Sequence, residues 1–254
     1  MEPGARYVAL GSSFAAGPGI APPAPGRPRG SLRSAANYPA LVAARLGLHL
    51  VDVSFSGATT RQLLTGKRRG VAAQLDAVTA DTRLVTLTSG GNDVGYIGGL
   101  TLASLPWPVR RRALAGRGAG EGSDERFARL AAAFDDVLAE VRRRAPGATV
   151  LLVDYPAVVP PEGGPDAVPL RPEVLVWARD TARLLAGTTA AAAQRAGYAS
   201  VAVSAASAAH HAWSARPWTT TGRSRVPFHP TAAGMRGAAG LVLASLGVRD
   251  APGA

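Results

Sequence analysis

The stretch Tyr7-Val8-Ala9-Leu10-Gly11-Ser12-Ser13-Phe14-Ala15-Ala16-Gly17 sets four apolar residues directly against a Gly-Ser-Ser turn. A short, uninterrupted apolar run bounded by glycine reads as a buried parallel strand. A serine at the turn that follows such a strand has its hydroxyl above the sheet edge, close to backbone N–H groups. The stretch is not a GxSxG elbow. With no GK[ST] after it, and with glycines off the GxGxxG spacing, it is not a phosphate loop either. Taken alone, Gly-Ser-Ser is more often only a turn.

Working outward, the same kind of run recurs at Leu50–Phe55, Leu84–Thr88, Thr149–Asp154 and Ser200–Ser204. Helical patterns alternate with these runs. Asn37 caps Tyr38–Leu46, Thr60 leads into Arg61–Leu64, and Val71–Val78 follows. Ser123 opens a long amphipathic helix whose Phe127, Leu130, Phe134, Val137, Leu138 and Val141 share one face, and Pro146-Gly147 stops it. Glu173–Ala196 ends at Gly197, and Thr231–Leu246 ends at Gly247. Five strands alternating with helices imply right-handed crossovers and helices on both faces of one sheet. The expected fold class is therefore α/β, a single three-layer sandwich over residues 1–254 around a five-stranded parallel sheet. Ligands in such folds bind beyond the carboxyl ends of the strands. The Pro/Gly-rich segments 17–30 and 156–172 read as rim loops, Gly116–Gly122 as a flexible loop, and 249–254 as a frayed tail.

Composition narrows the function. With 47% hydrophobic residues among 254, the chain can build a large core. No apolar stretch reaches the ~18–20 residues of a membrane span. There is no cysteine, which excludes disulfides, thiolate metal sites and a cysteine nucleophile. The four histidines, His49, His210, His211 and His229, form no HExxH pair, so no metal is expected. The net charge of +11 invites a nucleic-acid reading. Lys67 is the only lysine, however, and the surplus of Arg, Ala and Gly looks like a GC-rich genome, so no nucleic-acid partner is expected. Residues 1–6 are too short for a signal peptide, which makes the cytoplasm the expected compartment.

Three further segments carry residues suited to acyl-transfer chemistry. Ser54-Phe55-Ser56-Gly57-Ala58-Thr59-Thr60 follows the second strand, and Gly57 offers an unobstructed N–H. Thr88-Ser89-Gly90-Gly91-Asn92-Asp93 follows the third; Asn92 can donate to an oxyanion and Asp93 can brace the loop. Pro227-Phe228-His229-Pro230-Thr231-Ala232-Ala233-Gly234 opens the last helix, with Pro230 in its first turn and His229 at its mouth as a base. Each segment alone has a plainer reading as a turn or a cap.

In this order GSSFAAG, SFSGATT, GGND and PFHPTAAG resemble the SGNH hydrolases, the GDSL esterase/lipase family, in its actinobacterial esterase type. The resemblance spans positions 7 to 247. It implies a flavodoxin-like sheet, Ser13 as nucleophile and His229 as base. It also implies an oxyanion hole from the N–H groups of Ser13 and Gly57 and the Asn92 amide, and it requires no cofactor. Two positions depart from the family pattern. Ser12 stands where the first block normally has Asp, and Val226 stands where the acid usually precedes the histidine by three residues. The family includes members whose histidine is held by a main-chain carbonyl, so a Ser–His dyad oriented by the Val226 carbonyl is the expectation. The implied activity is hydrolysis of a small-molecule ester, of short-chain or acetyl type by family preference. An acyltransferase using the same pair, a catalytically silent binding protein and, on the basic surface, a nucleic-acid binder remain the alternatives. Asp154 reads as a turn residue, His210 and His211 as exposed. Trp213 and Trp218 read as either a wall beside His229 or pins for their loop, and Arg110–Arg112 and Arg142–Arg144 as solvated helix faces.

Overall fold

A computed structural model describes residues 1–66, 70–114, 122–163 and 168–248. Five strands, β1 (Arg6–Gly11), β2 (His49–Asp52), β3 (Thr82–Thr88), β4 (Thr149–Val153) and β5 (Ala199–Val201), form one all-parallel sheet in the order β2-β1-β3-β4-β5. This is the doubly wound order in which the chain changes direction between β1 and β3, and a crevice opens there at the carboxyl ends. The helices are α1 (Ser13–Ala16), α2 (Tyr38–Leu46), α3 (Gln62–Thr65), α4 (Tyr96–Ala103), α5 (Trp107–Leu114), α6 (Ser123–Arg144), α7 (Pro172–Arg195), α8 (Val203–Ala206) and α9 (Ala232–Ser245).

The period-two alternation of each strand divides the core into two layers. Val8, Leu10, Val85, Leu87, Val150 and Leu152 face α6 and α7. Tyr7, Ala9, Leu84, Leu151 and Val153 face α2 and α9. The three-layer sandwich is thus the observed fold. Polar groups in the second layer are paired: the Tyr7 hydroxyl bonds Thr86 at 2.7 Å and the Tyr38 hydroxyl bonds Thr88 at 2.9 Å. No helix among the described residues is long and apolar enough to cross a membrane.

Element ends differ from the sequence reading where a side chain intervenes. β2 stops at Asp52 rather than Phe55, because the Asp52 carboxylate accepts from Ser54 N at 2.9 Å and turns the chain. β5 stops at Val201 rather than Ser204, because the buried Asp154 carboxylate accepts from Ser204 N and its hydroxyl and starts α8. Asp154 is therefore a buried cap. The helix expected at Val71–Val78 is only a 3-10 turn at Gln74–Ala77, and α3 and α9 each begin one residue later than read. Helix α4 was not legible as a helix, since Tyr96-Ile97-Gly98-Gly99 has two glycines and no polar face. Gly99 serves packing: a Cβ there would overlap the Trp177 ring of α7. His210 and His211 are half-buried, with His210 stacked on Trp218 at 4.9 Å between centroids. The segment at 156–172 is irregular where described, yet Val158 and Val159 belong to the core. The loop at 116–121 and the tail at 249–254 lie outside the described residues.

The end of β1 is the tightest point of the sheet. Gly11 has φ 142°, and a Cβ there would overlap the Thr88 carbonyl of β3. The buried Gln74 side chain brackets it, accepting from Gly11 N at 2.8 Å and donating to Gly11 O at 3.0 Å. Gln74→Leu keeps the volume and removes both bonds. Urea unfolding should show a loss of about 1–3 kcal/mol, the usual effect of leaving buried polar groups unpaired.

Candidate active site

Past Gly11 the backbone bends sharply. Ser12 is extended (φ −102°), its N–H donates to Thr88 O at 2.9 Å, and Ser13 begins the single turn of α1. Gly17, left-handed at φ 71°, closes that turn with its N–H on Ser13 O. As the first helical residue, Ser13 has a backbone N–H with no intrahelical acceptor. Its side chain lies over the crevice and is nearly buried, at 6% exposure for the residue. Ser12 points the other way: its hydroxyl meets the Tyr155 hydroxyl at 3.0 Å, and Tyr155 also accepts from Gly91 N at 3.1 Å. Tyr155 thereby ties the first block to the third. Nothing local in Asp154-Tyr155-Pro156 signals this role.

The loop after β2 and the loop after β3 are laced together. Asp93 accepts from Thr60 N at 3.0 Å through both carboxylate oxygens, and burial raises its pKa. Asn92 donates one amide hydrogen to Ala58 O at 2.8 Å, which leaves its second hydrogen for another acceptor. Between these anchors Gly57 turns through φ 74°, a conformation that favours glycine.

His229 comes from the segment between β5 and α9. Thr219 and Pro230 form an isolated antiparallel bridge, Thr220 N donates to His229 O at 2.8 Å, and His229 N donates to Thr220 Oγ1 at 3.1 Å. Pro230 therefore lies outside α9, and Thr231 is the cap, accepting from Gly234 N at 3.1 Å. The ring reaches across the crevice so that Nε2 stands 2.9 Å from Ser13 Oγ. Its other nitrogen, Nδ1, lies 2.7 Å from Pro227 O. A carbonyl can only accept, so Nδ1 carries the proton and Nε2 presents its lone pair to the serine.

The orienting carbonyl is thus Pro227's, not Val226's as the sequence suggested. Val226 O is already taken, accepting from Thr220 Oγ1 at 2.7 Å and Ser224 Oγ at 2.9 Å. The buried Phe228 between Pro227 and His229 has φ 58°, rare for a residue with a bulky side chain. That left-handed turn folds the Pro227 carbonyl back onto the ring, and such strain concentrates at functional sites. Trp213 supports Phe228 from 6.1 Å, while Trp218 accepts from Thr231 N at 2.8 Å and pins the loop to α9. Phe14 covers the imidazole at 5.4 Å between ring centroids. Ser13, Gly57, Asn92 and His229 all sit on the loops at the carboxyl ends of the sheet.

A buried serine paired with a half-buried imidazole on the switch-point edge of a parallel sheet is the arrangement of a serine hydrolase. Residues 9–236 match the GDSL-like lipase/acylhydrolase family. The chain belongs to that family and is a carboxylic ester hydrolase. It is 34% identical to Lipase 2 of Streptomyces coelicolor over 250 residues, covering 91% of this chain and 82% of that protein. The crystal structure of the extracellular lipase of Streptomyces rimosus superposes with a TM-score of 0.76 at 30% identity, covering 94% of this chain and 98% of the other. The phospholipase A1 of Streptomyces albidoflavus also gives 0.76, at 29% identity, covering 95% and 99%.

Burial lowers the His229 pKa from its usual 6.5, with the Pro227 bond opposing in part. Partial burial disfavours the imidazolium, so the basic form persists as pH falls below 6.5. In a kcat/KM profile the acid limb should have its midpoint below pH 6.5. Phe14→Ala, which lets water reach the ring, should move that midpoint upward.

Proposed function

We propose that Ser13 and His229 act as a dyad that hydrolyses carboxylic esters through an acyl-enzyme. The observation that carries this reading is the 2.9 Å contact of Ser13 Oγ with a His229 Nε2 whose tautomer is held by Pro227. His229 takes the Ser13 proton as Oγ attacks the ester carbonyl. The imidazolium then returns that proton to the departing alkoxide, leaving the acyl group on Ser13. Water, deprotonated by the same imidazole, attacks the acyl-enzyme and releases the acid. Through both steps the oxyanion is met by the N–H groups of Ser13 and Gly57 and the free Asn92 hydrogen. A carbonyl stabilises the imidazolium less than a carboxylate would, but it selects the same tautomer, the larger part of the usual penalty.

A serine-directed phosphonate should give a single adduct on Ser13, seen by peptide mass mapping and lost in His229→Ala. An adduct on Ser12, or none on folded protein, would refute the assignment. Asn92→Ala should lower kcat by about 10²–10³, as removal of one oxyanion donor does.

We place the acyl chain in a cavity that neither Ser13 nor His229 lines but that Tyr155, the neighbour of Phe14, joins to their site. A volume of about 460 Å³ is walled by Tyr96, Tyr155, Pro156, Val158, Val159 and Leu185, within the range of small-molecule pockets. Tyr155 packs on Phe14 at 4.2 Å between ring centroids and Phe14 covers His229, so an acyl chain passing Phe14 would meet the apolar part of this cavity, whose lining also includes Arg179, Asp180 and Arg183. The buried Tyr96 hydroxyl has no hydrogen-bond partner among the described residues and would offer a donor to a substrate oxygen that reached it. Family resemblance favours short acyl chains; the cavity supports chains longer than acetyl, in keeping with the lipase and phospholipase A1 relatives. Across p-nitrophenyl esters from acetate to decanoate, kcat/KM should rise beyond butyrate, since a buried methylene adds about 0.8 kcal/mol, roughly fourfold. Ala182→Trp, which fills the cavity from α7, should abolish that rise and spare acetate. A fall from acetate onward would restore the short-chain reading. The compartment is part of the same proposal. The extracellular S. rimosus relative favours export of this chain over the cytoplasm. Fractionating expressing cells and medium distinguishes them.

A further inference from the structure

The start of α5 is built unlike any other exposed segment described. Leu105-Pro106-Trp107-Pro108-Val109 is an apolar run at the surface, with Trp107 59% and Val109 51% exposed. Arg110-Arg111-Arg112 follows at once. One helical turn places side chains all round the axis, so these eight residues form an apolar tip with a cationic collar behind it, ~6 Å further along at 1.5 Å per residue. The Arg111 guanidinium lies 5.4 Å from the centre of the Trp107 ring, close enough for a cation–π contact that holds the indole at the tip. No carboxylate pairs with Arg110, Arg111 or Arg112 among the described ion pairs.

A second exposed apolar pair stands on α7, the helix that α4 packs against. Val176 is 58% and Trp177 38% exposed, and the Trp177 ring is seated on Gly99 of α4. Helix α4 also contacts α5. An indole exposed over more than half its surface, a second partly exposed one on the far side of α4's contacts, and a collar of arginines are costly features for a surface turned only to water.

We propose that this face docks the protein on an anionic phospholipid surface. Trp107, Pro108 and Val109 would enter the boundary between headgroups and acyl chains, a zone ~5–10 Å deep, while the arginine collar meets the phosphates. The chain's net charge of +11 adds long-range attraction to the same surface. Apolar tips have no counterpart on a nucleic-acid backbone, which favours lipid over DNA or RNA as the occupant of this face. The helices involved also wall the cavity described above, through Tyr96 on α4 and Leu185 on α7, yet the docking is independent of the catalytic reading.

The test uses the full chain with Ser13→Ala, so that no lipid is consumed. Flotation is measured with vesicles of phosphatidylcholine alone and of phosphatidylcholine mixed equally with phosphatidylglycerol. Binding should be confined to the mixed vesicles and should weaken with salt. Replacing Arg110, Arg111 and Arg112 by Gln should weaken it on the order of 100-fold, from about a factor of five per arginine. Trp107→Ser with Val109→Ser should weaken it about tenfold or more. Both variants, made with Ser13 intact, should retain hydrolysis of a soluble ester, which shows that they fold. Equal binding to both vesicles, no binding to either, or binding unaffected by the tip variant would overturn the proposal. So would retention on duplex DNA that outlasts retention on the mixed vesicles at the same salt.

Discussion

The catalytic edge of this molecule depends on Gly11 crossing β3 so closely that its α-carbon leaves no room for a side chain over the Thr88 carbonyl. That contact is possible only for glycine at φ 142°, and it directs everything beyond it. Ser12 N can then bond Thr88 O, and α1 starts one residue later with its N–H groups facing the crevice. Gln74 holds the crossing from below through both polar groups of Gly11. The position of Ser13 is therefore set by the end of the sheet.

The histidine is held by a different kind of constraint. Among the described residues no carboxylate meets its ring; the Pro227 carbonyl, turned back by Phe228, does. Phe228 in the left-handed region costs about 1–3 kcal/mol, offset by burial of its ring and by the hydrogen bonds that Thr220 makes on both sides of the turn. What the site gains is a carbonyl aimed at Nδ1 from two residues away. A neutral acceptor on a half-buried ring also leaves the imidazole less basic than a carboxylate would, in accord with its lowered pKa.

Ser12 and Tyr155 show how a departure from a family pattern can be absorbed. Where an aspartate is usual, the smaller hydroxyl reaches Tyr155, and Tyr155 in turn takes Gly91 N beside Asn92. The turn that carries Ser13 and the loop that carries Asn92 are joined through one buried phenol, whose pKa burial pushes up to about 12. Tyr155 stays neutral and can both donate and accept.

Much of this was legible in the residues themselves. The apolar runs at Tyr7–Leu10, Leu84–Thr88 and Thr149–Asp154, the Asn37 cap and the stripe of α6 announce their elements because burial and period are local properties of the chain. Ser13, Gly57, Asn92 and His229 were visible because each lies in a short motif that follows a strand or precedes a helix. The sequence left unsettled whatever depends on partners distant along the chain. Helix α4 is made by Trp177 lying on Gly99, β5 is cut short by Asp154, and Tyr155 finds Ser12 across 143 positions. The choice of Pro227 over Val226 is of the same kind. Either carbonyl satisfies the chemistry, and only the folded loop, by giving Val226 O to Thr220 and Ser224 and turning Phe228 left-handed, decides which one faces the ring.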